Sequence, residues 1–284
     1  MLRFKEYIPQ RMKNVVHIIT KRKKKKETLR FGIDIVKHCN LRCRGCDHFS
    51  CIANEQYAKF ETVEKDLNRI KEIFGERVEQ INLLGGEPLL NRDIVKYCRF
   101  IRSMFPNTGI SIITNGTLLL NQSEEFWECC RKCGVELKIT KYPINFDYDR
   151  AVKLAKENEI KIYYQAHSDE QIKVMYCVPI DCEGKQTPAI SYSICAKGNE
   201  CVTLENGKLF TCTLIPNIEI FNQYFGKHLK VTADDYIDIY KVDDPDEILS
   251  ALASEVPFCK YCNNLGYKTG IPWGITNGKI SEWL

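Results

Sequence analysis

Phe31-Gly-Ile-Asp-Ile-Val36 leads, after Lys37 and His38, into Cys39-Asn-Leu-Arg-Cys43-Arg-Gly-Cys46. The first six residues have the pattern of a strand, and the second stretch is a loop that spaces three thiols C-x3-C-x2-C at the strand's carboxyl end. Beyond Cys46 the chain alternates between helical and strand patterns. Thr62 to Phe74 has helical spacing, with Leu67, Ile70, Ile73 and Phe74 on one face; Val78 to Leu84 is a strand; Arg92 to Phe105 is a helix with Asn91 as a cap. The alternation continues as strand Ile110 to Thr114, helix Ser123 to Cys133, strand Val135 to Thr140, helix Tyr148 to Asn158 and strand Ile160 to Gln165. Strands separated by helices imply a parallel α/β sheet, whose ligands sit beyond the strands' carboxyl ends because the variable loops gather there. The apolar stretch Ile172 to Val178 is the candidate for a sixth strand.

Three thiols at this spacing suit an iron-sulfur cluster, because soft anionic sulfur matches iron, and three ligands leave one iron of a cubane open to a substrate or cofactor. Zinc is the alternative, although structural zinc sites are normally closed by four ligands. A second motif, Leu84-Gly85-Gly86-Glu87-Pro88, ends the next strand. Its glycines let backbone approach a ligand closely, Glu87 can accept from an ammonium group, and Pro88 stiffens the turn.

The triad and the Gly-Gly-Glu-Pro tetrad together make the chain resemble the radical S-adenosylmethionine (radical SAM) enzymes, over roughly residues 31 to 180. The resemblance implies a partial (β/α)6 TIM barrel, a [4Fe-4S] cluster on Cys39, Cys43 and Cys46, and S-adenosylmethionine bound at Gly85, Gly86, Glu87 and Pro88. Ile113-Thr114-Asn115-Gly116 is similar to the family's TNG segment, and Thr140 falls where a hydroxyl contacts the cofactor, so Asn115 and Thr140 join the expected contacts. One departure is Gly45, which stands where the family often has an aromatic residue against adenine; His48 and Phe49 are the candidates to replace it.

From about residue 195 the rhythm changes. Glu200 to Leu204 and Lys208 to Thr213 flank Asn206-Gly207, a two-residue hairpin turn, and Asp244 to Leu252 reads as a capped helix with proline in its first turn. Cys195, Cys212, Cys259 and Cys262 are spread along this segment and resemble the set of a twitch domain, a short relative of the SPASM domain. The resemblance implies a small α+β domain with one auxiliary [4Fe-4S] cluster, for which Cys201 is the alternative to Cys195 and zinc the alternative metal. The division expected is a basic leader over residues 1–30, a radical SAM barrel over 31–190 and the auxiliary-cluster domain over 191–284.

Composition narrows the function classes. With 44% hydrophobic and 27% charged residues, the 284-residue chain is a folded, enzyme-sized body and not a disordered one. Fifteen cysteines without a signal peptide or an apolar run of about 18 residues point to the reducing cytoplasm, where thiols bind metals in preference to forming disulfides. Residues 1–30 carry eleven Lys or Arg against two Glu, an excess of nine positive charges, while the whole chain is only +4. Such a leader suits an anionic surface, but no aromatics interleave Lys21 to Lys26 and no nucleic-acid fold motif is present, so no specific nucleic acid is expected.

The other cysteines read as structural, with Cys177 and Cys182 the candidates for a hydrogen-atom donor at the substrate. Lys138, Lys141, Tyr164, Gln165 and His167, near the strand ends, are polar candidates for the catalytic base. What the resemblance implies is reductive cleavage of S-adenosylmethionine to a 5'-deoxyadenosyl radical, with electrons from a donor such as flavodoxin or ferredoxin. The expected substrate is a small hydroxylated molecule, a sugar, cyclitol or polysaccharide-related alcohol, and the expected outcome is oxidation. Epimerisation or dehydration, peptide modification, and a non-catalytic metal-binding interaction protein are the alternatives.

Overall fold

The computed structural model describes residues 25–164, 169–171 and 174–284. The basic leader up to residue 24, together with Gln165 and His167, lies outside the described residues.

Five strands pair in parallel in the order β5-β4-β3-β2-β1: β1 (Leu29–Val36), β2 (Val78–Gly85), β3 (Gly109–Thr114), β4 (Val135–Ile139) and β5 (Ile162–Tyr164). The expected helices join them as α1 (Phe60–Phe74), α2 (Ile94–Met104), α3 (Glu124–Cys133) and α4 (Tyr148–Glu157). Each turn has a local cause. Ser123 accepts from the Phe126 N–H at 3.2 Å to cap α3, and Gly134, at φ 60°, turns that helix directly into β4. The Asn91 carboxamide accepts from Asp93 N at 2.9 Å and donates to the Ile35 carbonyl at 2.8 Å, which ties the entry to α2 to strand β1. Apolar side chains of β1 to β4, among them Ile33, Ile81, Ile112 and Leu137, pack with Leu67 and Ile70 of α1 and Ile101 of α2 in one buried core.

The chain beyond residue 177 adds α5 (Pro188–Ser193), the hairpin β7 (Thr203–Glu205) and β8 (Lys208–Phe210), α6 (Leu214–Phe225), β9 (Ile237–Asp238) and α7 (Pro245–Leu252). Asn206 and Gly207 have φ of 50° and 74°, as the expected two-residue turn requires. This hairpin does not start a sheet of its own. It lies on the free side of β1, with Gly32 N donating to Val202 O at 2.8 Å, so one eight-stranded sheet runs β5-β4-β3-β2-β1-β7-β8-β9. A second core, with Phe49, Phe210, Phe221, Phe258 and Trp283, joins the cysteine loop to these later elements.

Two expectations are corrected here. Ile172 to Val178 does not extend the parallel sheet: its described part, β6 (Val174–Cys177), pairs antiparallel with a C-terminal strand, β10 (Lys268–Pro272). Helix α6 lies where no helix was expected; Pro216 sits in its first turn, where the missing N–H has no helical partner to lose. Among the described residues, no helix is long and apolar enough to cross a membrane.

Candidate functional site

The loops at the carboxyl ends of β1 to β4 converge on a cavity of about 460 Å³. Cys39, Cys43 and Cys46 from the loop after β1 line it, as do Gly85 and Gly86 after β2, Thr114 and Asn115 after β3, and Thr140 and Tyr142 after β4. The glycine pair is explained by packing. A Cβ on Gly85 would lie 2.0 Å from the Val36 carbonyl oxygen, and one on Gly86 would lie 1.9 Å from that of His38. Gly86 N and Glu87 N donate to these same carbonyls at 3.0 and 3.1 Å. The end of β2 is thereby pressed against the strand that delivers the cysteines.

Glu87 is fully buried. Its carboxylate accepts from Leu89 N at 3.1 Å, the Thr114 hydroxyl at 2.6 Å and Asn115 N at 2.8 Å, and it does not line the cavity. The expected direct contact between Glu87 and an ammonium group therefore does not match the geometry; the side chain braces the Thr114-Asn115 turn instead. Burial raises its pKa to about 7 against the pull of those three donors. Pro88 opens a short 3-10 turn, Pro88–Leu90, as its restricted φ favours. Asn115 donates to Asn40 Oδ1 at 2.8 Å and stands 3.8 Å from Cys39 Sγ, which links the third strand's loop to the first. Thr140 N donates to Thr114 O at 3.0 Å and so joins the fourth.

The triad's chemistry suits a thiolate-bound cluster. Burial pushes the Cys39 thiol up to about 12 and that of Cys46 to about 11, and each is raised further by neighbouring thiols of the triad. Without a cation these sulfurs are neutral; iron would supply the charge that offsets desolvation. Donors already aim at sulfur: Leu41 N lies 3.4 Å from Cys39 Sγ and Trp273 Nε1 3.3 Å from Cys43 Sγ. Among the described residues no three side chains are drawn to the spacing of a single metal ion; a cubane spreads its thiolates wider than one ion does. Cys51, read as structural, is a buried neighbour whose thiol is raised by burial and then by Cys46 and Cys43.

The later cysteines also come together. Cys212, Cys259 and Cys262 are each raised first by burial and then by one another or by Cys195. Cys195 Sγ accepts from Lys197 N and Gly198 N at 3.4 Å each, and Cys212 Sγ accepts from Leu214 N and Ile215 N at the start of α6, where the helix favours an anion. Cys201 is exposed, and its thiol is raised first by desolvation and then by Asp47 and Cys195.

Several candidates fall elsewhere. Cys177 sits 3.7 Å from the Glu282 carbonyl, and Cys182 packs against the second core; neither lines the cavity, so neither faces a substrate there. Lys138 reaches Asn82 Oδ1 at 3.3 Å, while Lys141 stands 3.7 Å from Asp149 and over the Tyr164 ring, and all three candidate side chains are absent from the cavity wall. Phe49, at φ 54°, is buried against Phe221 and Trp283 and is not free to stack on an adenine. His48 does line the cavity, with Asp34 Oδ2 3.4 Å from its Nδ1.

Sequence reasoning missed Tyr142, Tyr176 and the whole segment after Cys262. That segment pairs with the cysteine loop: Arg44 N donates to Gly274 O at 2.8 Å and Thr276 N to Arg42 O at 2.7 Å. The aromatic residues Tyr267, Trp273 and Trp283, unusual for a solvated tail, were the signal available.

The radical SAM superfamily profile matches residues 33–165. A probable GTP 3',8-cyclase of Pyrococcus abyssi is 35% identical over 96 residues, 34% of this chain and 30% of that protein. A GTP 3',8-cyclase of Campylobacter lari is 27% identical over 133 residues, 45% of this chain and 38% of that one. The chain thus spans well under half the length of these curated relatives. Among solved structures, BtrN in complex with AdoMet and 2-DOIA superposes with a TM-score of 0.53 at 15% identity, covering 85% of this chain and 95% of BtrN. Native anSMEcpe with bound AdoMet does so at 0.50 and 11%, covering 82% of each chain. At these identities the likeness is one of fold.

Proposed function

We propose, on the premise that this chain is a member of the radical SAM superfamily through residues 33–165, that it oxidises an alcohol on a small hydroxylated substrate of the sugar, cyclitol or polysaccharide-related class. In this reading Cys39, Cys43 and Cys46 hold a [4Fe-4S] cluster, Cys195, Cys212, Cys259 and Cys262 hold an auxiliary one, and S-adenosylmethionine occupies the cavity between the triad and the loops after β2, β3 and β4. When bound, these groups supply the one-electron chemistry: reductive cleavage of S-adenosylmethionine to a 5'-deoxyadenosyl radical, hydrogen-atom abstraction, and an acceptor for the second electron of the oxidation.

The observation that carries the reading is one cavity walled by three thiols on one side and by Gly85, Gly86, Thr114, Asn115 and Thr140 on the other. The protein's task is to hold and exclude. Gly85 and Gly86 offer backbone without side chains, Glu87 fixes the Thr114-Asn115 turn, and Tyr142 and Tyr176 enclose the remaining wall. A cavity of about 460 Å³ is in the range of small-molecule sites. Once S-adenosylmethionine is inside, the space left suits a small substrate better than a folded peptide. A one-electron carrier such as flavodoxin or ferredoxin supplies the reducing electron.

Protein reconstituted anaerobically with iron and sulfide, then reduced with S-adenosylmethionine present, is expected to release 5'-deoxyadenosine, and Cys43→Ala to abolish that release. Incubation with a panel of sugar and cyclitol alcohols is expected to give a product two hydrogens lighter by mass spectrometry. Unchanged mass with deuterium uptake would replace oxidation by epimerisation, and bound zinc with no 5'-deoxyadenosine would reject the enzyme reading.

A further inference from the structure

The segment after β10 runs as a strap across the cysteine loop. Gly274 O and Thr276 N bond the backbone of Arg44 and Arg42, so Ile275 pairs antiparallel with Cys43. Trp283, 2% exposed, anchors the far end: its indole N–H donates to the Cys46 carbonyl at 3.0 Å, and its ring packs on Phe49, Phe221 and Phe225. Immediately before the paired residues, Trp273 turns its indole N–H onto Cys43 Sγ at 3.3 Å, beside the Tyr142 ring at a centroid distance of 5.9 Å. Trp273 thus brings a side-chain donor from the far end of the sequence to one thiol of the three.

An indole nitrogen donates and cannot accept, so its bond to sulfur is favourable in proportion to the negative charge on that sulfur. Hydrogen bonds to cysteinyl sulfur are one of the levers that set the potential of an iron-sulfur cluster, because the reduced form places more charge on its ligands. We infer that Trp273, delivered by the C-terminal strap, is a positioning residue that raises the reduction potential of the cluster at Cys39, Cys43 and Cys46 through its bond to Cys43 Sγ. This rests on the cluster assignment proposed above. The physical consequence is that a segment remote in sequence makes the reducing step easier for the electron donor.

The test is an EPR-monitored potentiometric titration of the reconstituted full chain. Trp273→Phe keeps an aromatic ring against Tyr142 and removes the N–H. At the wild-type midpoint its ratio of reduced to oxidised cluster is expected to fall about tenfold, equivalent to about 59 mV for a one-electron couple, with iron content unchanged. Trp283→Phe, whose indole bonds a carbonyl and not a sulfur, is expected to keep the wild-type midpoint. Wild-type protein with its tryptophans replaced by 5-fluorotryptophan, a stronger N–H donor, needs no substitution to fold and is expected to move the midpoint positive. A Trp273→Phe protein with full iron and the wild-type midpoint, or a fluorinated protein with no shift, overturns the inference. Wild-type protein that assembles no four-iron cluster overturns the assignment beneath it, and iron analysis separates that failure from the first.

Discussion

Asp34 shows how one residue serves both halves of the chain. It lies on β1, 5% exposed, and its Oδ2 accepts from Asn217 of α6 at 2.7 Å while facing His48 at 3.4 Å and Lys37 at 3.6 Å. Burial opposes its charge, yet His48, Lys37 and the Asn217 amide together hold its carboxyl well below the usual carboxylate range. A depressed pKa contributes stability above the unfolded value of 3.8 and loses it as pH falls through the folded value. Asp34→Asn should therefore cost about 2 kcal/mol at pH 7, with the difference from wild type closing in strong acid; urea titrations across that range would refute this if the gap stayed constant. Thr114 is the matching residue at the cavity. Its hydroxyl donates to Glu87 at 2.6 Å and accepts from Gly116 N at 2.9 Å. Thr114→Val removes one of the three donors to Glu87 and the acceptor of Gly116 N, and equilibrium dialysis should find S-adenosylmethionine affinity reduced about tenfold, an effect of roughly 1.4 kcal/mol, whereas Thr114→Ser should retain it.

At the scale of elements, the junction of β1 and β2 is the most constrained. The Gly-Gly-Glu-Pro tetrad was legible as a motif, and its glycines were read as room for a ligand. Their tighter constraint is the carbonyls of Val36 and His38, which only the pairing of β1 with β2 brings there. Gly86→Ala places a methyl 1.9 Å from backbone that cannot move without unpairing the strands. A loss of about 3 kcal/mol or more is expected, within the range of overpacked sites, visible as a lower melting temperature or loss of soluble protein; a variant melting with the wild type would contradict it. Local signals served well elsewhere. The helical pattern from Ser123 to Cys133 became α3, and Asp244 caps α7 by accepting from Asp246 N at 2.8 Å, because these signals act through a few neighbouring residues.

Across the whole molecule, the hairpin β7-β8 continues the sheet begun by β1, and Gly207 N donates to Asp66 of α1 at 2.7 Å. The later elements and the parallel strands therefore share backbone pairing. A chain ending at residue 190 would leave that side of β1 bare, and we expect it to aggregate, since an unpaired edge templates association; a soluble monomer by light scattering would show the five parallel strands and their helices to be self-sufficient. The sequence by itself determined the alternating α/β order, the cysteine spacings, the Gly-Gly-Glu-Pro motif and the hairpin turn, because each depends on periodicity or on side chains a few residues apart. Only the tertiary structure decided that β6 leaves the parallel sheet, that Glu87 braces its neighbours, that Phe49 is core, and that Trp273 meets Cys43. Those outcomes join residues far apart in the chain, and they depend on which surfaces burial brings together, which no local pattern encodes.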